Sequence, residues 1–293
     1  MVVPEAVVRA FLRASRANRP YVSTAGAEAA IRAQGRRPAS FRPPRRLRPD
    51  VTVTLRHEGS TPVYTVTPTA SAPVGHVVYV HGGGWIHEVG PQHWRLAAQI
   101  AVEANTTVTV PVYDLLPVGD ALTAHDLVVR LVEATGDPGA VRLAGDSAGG
   151  QIALSTALTL RDRGNGGVRT VLIAPALDLT LANPDVPRVL PSDPWLGIDG
   201  VRVLGERWAG SLPVSDPRVS PLAGELNGLG PMLLFTGTRD VLNPDARLLA
   251  AKAHAAGVDV TFVERPGSIH VHPLLPTRAG AAARARVVAA LRA

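Results

Sequence analysis

Val141–Gly150 reads VRLAGDSAGG. An apolar run of buried-strand type enters Gly145-Asp146-Ser147-Ala148-Gly149, and a segment of helical length, Ala148–Arg161, follows at once. This is G-x-S-x-G placed between a strand and a helix, the context that gives the pattern its meaning. The turn is so tight that only glycine fits on either side of the central residue. Ser147 is thereby driven into a strained backbone conformation with its hydroxyl exposed. The helix behind it points backbone N–H groups and the positive end of its dipole toward the same place. Ser147 is therefore a candidate nucleophile.

The texture on both sides of this turn repeats. Val77–Val80, Thr107–Val112, Thr170–Ala174, Met232–Thr236 and Val258–Val263 are further short runs rich in Val, Leu and Ile. Trp94–Ala104, Leu122–Ala134, Pro244–Ala256 and Arg278–Leu291 have helical length and lie between or after them. Buried strands alternating with helices argue an α/β fold with a mainly parallel central sheet and helices on both faces. Val51–Glu58 and Thr61–Thr67 alternate apolar and polar residues around a Gly-Ser pair, a hairpin that leads into the sheet as an antiparallel edge.

Three stretches depart from this rhythm. Residues 3–18 carry Val7, Val8, Phe11 and Leu12 at helical spacing, with Arg between them. Residues 35–50 are rich in Pro and Arg and read as an extended connector. Its Arg42, Arg45, Arg46 and Arg48 suit a solvated linker better than a nucleic-acid site, because no stacking aromatics accompany them. Residues 181–230 hold many Pro and Gly, Trp195 and Trp208, and one helix at Gly200–Trp208. An insertion of this size at the carboxyl edge of a sheet commonly covers a site.

Composition narrows the chemistry. The chain has 293 residues, 46% of them hydrophobic and 18% charged, which suits a single globular unit. The formal charge is +6, and Lys252 is the only lysine. There is no cysteine, which excludes disulfides, thiolate catalysis and Cys-ligated metals. His87-Glu88 lacks the second histidine of H-E-x-x-H, and neither phosphate-binding glycine pattern is in place. No cofactor and no metal are expected. Met1–Pro20 has no uninterrupted apolar core of a signal peptide, and no apolar run reaches membrane-spanning length. A soluble, cytoplasmic protein without membrane or nucleic-acid partners is the expectation. A homodimer is compatible with the sequence, which does not fix the oligomeric state.

Directly after Val77–Val80 stands His81-Gly82-Gly83-Gly84-Trp85. Glycines at a strand end can be a plain flexible turn. They also let backbone N–H groups approach a substrate without a Cβ in the way. With Ala148 after the nucleophile, Gly83 and Gly84 are assigned to an oxyanion hole, where fixed donors face the charge of a tetrahedral intermediate. Trp85 and Asp146 flank these donors and are assigned to substrate binding.

A serine hydroxyl needs a base, and the base needs an orienting carboxylate. Two strand ends downstream offer them. Gly237-Thr238-Arg239-Asp240 follows Met232–Thr236, and Gly267-Ser268-Ile269-His270-Val271-His272 follows Val258–Val263. Asp240 is favoured over Asp245, which suits the first turn of the next helix. His270 is favoured over His272 by its distance from Gly267. The histidines at 57, 76, 87, 93, 125 and 254 read as surface or structural.

These motifs resemble the hormone-sensitive-lipase-like family of α/β-hydrolases, the microbial esterases with an HGGG loop and a GDSAGG elbow. Asp216–Leu222 (DPRVSPL), Gly237–Ala246 (GTRDVLNPDA) and His270–Pro276 (HVHPLLP) are similar to the family's stretches around its acid and histidine. The resemblance covers about residues 50–293 and implies Asp240 and His270 as the catalytic pair. It departs at Tyr113-Asp114-Leu115-Leu116-Pro117, where Asp stands for the usual Arg and the loop is shorter. It implies an α/β-hydrolase fold with a helical cap. Residues 1–50 are then an N-terminal cap segment and linker, and 51–293 the catalytic domain, with a cap insertion around 181–215. It also implies a serine carboxylesterase acting on short- to medium-chain esters through an acyl-enzyme. The pocket is expected to be apolar, with Trp195 and Trp208 either lining it or packed in the core.

Overall fold

The structure, a computed structural model, describes residues 2–36 and 39–292; positions 37 and 38 of the predicted connector lie outside them. Eight strands form one sheet. They are β1 (Val51–Glu58), β2 (Thr61–Pro68), β3 (His76–Val80), β4 (Thr107–Pro111), β5 (Val141–Asp146), β6 (Arg169–Ile173), β7 (Met232–Arg239) and β8 (Val260–Ile269). Their order is β1-β2-β4-β3-β5-β6-β7-β8. The hairpin β1–β2 joins β4 antiparallel, and every pairing from β4 to β8 is parallel. The predicted sheet and its antiparallel edge are both present.

Side chains alternate across the strands, as the pleat requires. Val78, Val80, Leu143, Leu172 and Leu234 pack into one core, and Val77, Tyr79, Ala144, Val171 and Phe235 into the other. Both faces are apolar because helices cover both. The helices are α1 (Glu5–Ala14), α2 (Arg19–Val22), α3 (Thr24–Arg36), α4 (Pro91–Glu103), α5 (Ala121–Glu133), α6 (Ala148–Asp162), α7 (Val186–Val189), α8 (Asp199–Ala209), α9 (Asn243–Ala255) and α10 (Arg278–Leu291). Helices α4 and α10 supply one core, and α5, α6 and α9 the other. Local chemistry starts several of them. Pro91 opens α4, Asp120 accepts the Thr123 N–H at 2.8 Å at the head of α5, and Thr277 accepts the Gly280 N–H at 2.9 Å before α10.

Helices α2 and α3 carry no signal in the periodicity of large apolar residues. In α3 only Ala27 and Ile31 are buried, so its contact face carries a single large apolar side chain. Both helices rest on α8, where Gly200, with Gly197 just before the helix, lets the Tyr21 backbone approach, and Arg207 pairs with Glu28 at 2.8 Å. Among the described residues, no helix is long and apolar enough to cross a membrane.

Candidate active site

Three strand ends converge on one edge of the sheet. Strand β5 ends beside Val80 on one side and Ile173 on the other. Ser147 follows it with φ 50° and ψ −117°, a region that bulky residues avoid. The turn holds because Gly149 lies against the carbonyls of Val80 and His81, where a Cβ would collide. On the far side, the last rung between β7 and β8 pairs Arg239 with Ile269. The next residue on each strand is Asp240 and His270, so the parallel register brings them side by side.

His270 Nε2 lies 2.9 Å from Ser147 Oγ, and its Nδ1 lies 2.8 Å from Asp240 Oδ2. Asp240 Oδ1 is held by the Leu242 N–H at 2.9 Å. Asp240 is fully buried and His270 is 4% exposed. Burial by itself would lower the His270 pKa. The Asp240 carboxylate at Nδ1, with Asp193 and Asp146 adding to it, outweighs that effect, and the imidazole is held above its ordinary value. The hydrogen bond to Asp240 places a proton on Nδ1 and leaves Nε2 free to accept one from the hydroxyl.

The rivals for these two roles fall elsewhere. Asp245 is buried and accepts the Asn183 side-chain N–H at 2.8 Å. His272 is buried against Phe235, without a partner among the described residues, and burial pushes its imidazole down to about 4. His125 is buried between Ser155 and Thr159, and His57 and His254 are exposed.

Opposite His270 stands the glycine loop. Gly83 and Gly84 have φ of 127° and 60°, and a Cβ on Gly84 would meet the Tyr21 ring. Among the described residues, no hydrogen bond takes up the N–H of Gly83, Gly84 or Ala148. The loop is fastened from behind. Asp146 Oδ1 accepts the Gly82 N–H at 3.0 Å and the Tyr79 hydroxyl at 2.6 Å. His93 accepts the Gly90 N–H at Nδ1, which leaves Nε2 as the donor facing Asp146 Oδ2 at 3.4 Å. Burial would raise the Asp146 pKa, but His93, Tyr79 and Gly82 together hold it below the usual carboxylate value. Asp146 borders the cavity, and both of its oxygens are engaged by the loop and its support. Tyr113, in the stretch that departs from the family pattern, donates to the His81 carbonyl at 2.8 Å, and Leu116 donates to the Trp85 carbonyl. The altered stretch still backs the loop.

Ser147 opens into a cavity of about 870 Å³. Trp85 lines it from the glycine loop, Trp195 and Leu196 from the insertion, and Val8 and Leu12 from α1. The two insertion tryptophans divide between the two readings. Trp195 lines the cavity and stands edge-on to His270, 5.8 Å between ring centres. Trp208 is fully buried, stacks on Trp85 and donates to Gln151 at 3.0 Å. His87 and His93, read from sequence as surface or structural, both border the cavity.

Sequence reading missed four contributors. Tyr79 sits inside an apolar run, which hides its hydroxyl. Asp193 lies in the insertion, and no local pattern marks its partners. Tyr113 was noted only for its neighbours. Glu5 accepts from Ser268 Oγ at 2.9 Å and from the Ile269 N–H at 3.0 Å, so it ties α1 to the histidine loop across the whole length of the chain.

A family model described as alpha/beta hydrolase fold matches residues 77–274. A triacylglycerol lipase of Mycobacterium tuberculosis is 33% identical over 213 residues, 71% of this chain and 44% of that protein. The chain thus matches less than half the length of that relative. An acetyl-hydrolase of Streptomyces hygroscopicus is 33% identical over 212 residues, 68% of this chain and 70% of that protein. The solved structure of a hormone-sensitive lipase from a metagenome library is 27% identical, with a TM-score of 0.78 over 96% of both chains.

Proposed function

The chain belongs to the α/β-hydrolase fold family, in its hormone-sensitive-lipase-like branch, and from that premise we propose that it is a serine carboxylesterase using Ser147, His270 and Asp240. The observation that carries this reading is the two-link chain of 2.9 Å and 2.8 Å from hydroxyl to imidazole to carboxylate. It occurs at a strained elbow that faces free N–H donors.

Ser147 Oγ attacks the ester carbonyl carbon while His270 Nε2 takes its proton. Asp240 keeps the imidazole in the useful tautomer and balances the imidazolium. The carbonyl oxygen becomes anionic and rests on the N–H groups of Gly83, Gly84 and Ala148. As the intermediate collapses, His270 returns the proton to the leaving alcohol. A water, deprotonated by the same nitrogen, then attacks the acyl-enzyme and releases the acid. No step needs a cofactor.

The N-terminal segment 1–50 and the insertion around 181–215 act as a cap over the catalytic domain. This is supported by the packing of α2 and α3 on α8, and by Val8, Leu12, Trp195 and Leu196 at the cavity wall. The substrates are small carboxylic esters of short to medium acyl chain, seated against this apolar wall. The test is hydrolysis of p-nitrophenyl esters from acetate to decanoate by the native chain and by Ser147→Ala. The native chain hydrolyses the shorter esters, and the variant loses activity by a factor of about 10³ or more. A Ser147→Ala protein as fast as the native one ends the proposal.

A further inference from the structure

Asp193 lies in the cap insertion, yet its carboxylate is shared between the cap and the loop that bears Asp240. Oδ1 accepts the N–H groups of Trp195 at 2.8 Å and Leu196 at 2.9 Å, and Oδ2 accepts the Val241 N–H at 2.9 Å. The neighbouring N–H, that of Leu242, goes to Asp240 itself. Consecutive donors of one loop therefore serve two different carboxylates, Asp240 fully buried and Asp193 half-buried. Burying one carboxylate is costly, and placing a second beside it adds like-charge repulsion. Burial, and then Asp240, lift the Asp193 pKa to about 6. A neutral Asn could accept at one of these two positions and a Ser at its single hydroxyl. The carboxylate accepts at both, and it adds charge.

That charge acts on the imidazole of His270. The charged groups that act on His270 are Asp240 at Nδ1, Asp193, and Asp146, whose oxygens are engaged by Tyr79, Gly82 and His93. The imidazole also meets the Ser147 hydroxyl and the edge of Trp195. His272, on the same loop, stays neutral through burial.

We propose that Asp193 is a positioning residue for the esterase reaction: a second, half-buried carboxylate that fixes Trp195 beside His270, steadies the Asp240 loop, and stabilises the imidazolium formed when Ser147 attacks. The inference rests on the triad reading above. It adds that the cap, and not the catalytic domain alone, supplies part of the charge behind the base. An ester reaching the cavity meets Trp195 in a place set by the same side chain that supports proton transfer, so the cap's wall and the base are joined through one residue.

The test is the pH profile of kcat/KM for p-nitrophenyl acetate, pH 5 to 9, with Asp193→Asn, Asp193→Ser and Asp193→Glu made in the full chain. Removing the charge lowers the affinity of His270 for its proton. In the two neutral variants the acid limb therefore moves to lower pH by about half a unit or more, and kcat drops about tenfold. Asp193→Glu keeps the charge while disturbing the N–H bonds, so its limb stays near the native position even as its rate falls. Asp245→Asn removes a different buried carboxylate, one that does not act on His270, and leaves the limb in place. Neutral variants that change only KM or thermal stability, with the acid limb unmoved, overturn the proposal. So does failure of both to fold by circular dichroism, which would assign Asp193 to folding alone. Labelling of Ser147 by a fluorophosphonate separates the two readings. A native chain that neither labels nor hydrolyses esters sinks the triad reading, whereas an active native chain with unmoved limbs sinks only this one.

Discussion

The Asp146 carboxylate accepts the Gly82 N–H at 3.0 Å, so the residue that precedes the nucleophile also anchors the loop that faces it. Nucleophile and oxyanion donors are thereby set in one frame. Asp146→Asn keeps the volume but puts an amide where the site offers O–H and N–H donors. The loop should shift by a fraction of an ångström, enough to misplace Gly83 and Gly84. The expected outcome is a kcat about 10- to 100-fold lower with a small change in KM, read by steady-state hydrolysis of p-nitrophenyl acetate. A normal kcat would mean that the loop holds its shape without this anchor.

The free imidazole of His270 is the active form, and its pKa is held above 6.5 despite burial, chiefly by Asp240. The activity therefore rises with pH through a value higher than that of an ordinary histidine. Asp240→Asn removes the main cause of that elevation and also disturbs the tautomer. It should lower kcat by about 10³-fold or more. Whatever activity remains should have its acid limb displaced to lower pH. The measurement is kcat/KM against pH for both proteins.

The two insertion tryptophans predict different readouts. Trp208 is fully buried and stacked on Trp85, so Trp208→Ala should cost about 3–5 kcal/mol of stability. Trp195 is half-buried at the cavity wall, so Trp195→Ala should cost about 1 kcal/mol and instead raise KM several-fold. Thermal unfolding and a KM series on both variants separate these effects.

The part of this site legible in sequence is the part in which backbone geometry dictates residue type. A strained elbow demanded Gly145 and Gly149, and an open loop demanded Gly83 and Gly84. Strand ends marked Asp240 and His270, because a parallel sheet brings its carboxyl ends together. What stayed hidden depends on contacts between distant segments. Asp146 sits inside the elbow motif and reads as a pocket residue, but its role follows from Tyr79 and Gly82, which belong to another strand and its loop. Asp193 and Glu5 reach backbone N–H groups, which any residue supplies, so no pattern points to their partners. Helix α3 was missed because it packs through Ala27 and Ile31 and carries no stripe of large apolar side chains.

Glu5 ties α1 to the backbone one residue before the catalytic imidazole, and α1 forms a cavity wall through Val8 and Leu12. Glu5→Ala should free the helix while leaving the triad bonds intact. The KM for p-nitrophenyl octanoate should then rise more than that for the acetate, because only the longer chain reaches that wall. Equal changes for both esters would show that the wall is not part of the acyl site.

Asp245 offers a test in which the sign of a pH effect decides the matter. Its carboxyl is buried, one oxygen has no partner among the described residues, and burial lifts its pKa to about 6. A carboxyl with a folded pKa above its unfolded one holds its proton more tightly when folded. It opposes folding as pH rises from about 4 to 6, and the cost is constant above that. Asp245→Asn keeps the acceptor for Asn183 and removes the ionisation. At pH 8 the variant should be more stable by about 1–3 kcal/mol. The advantage should shrink as the pH is lowered through 6, fall to about a third of its full size by pH 4.5, and vanish only below about pH 3, where both states of the native residue are protonated. Urea unfolding of native and variant chains at pH 8, 6 and 4.5 measures it. A variant that is less stable at pH 8 would mean that the ionised carboxylate has a favourable partner at this position and that its burial carries no net cost.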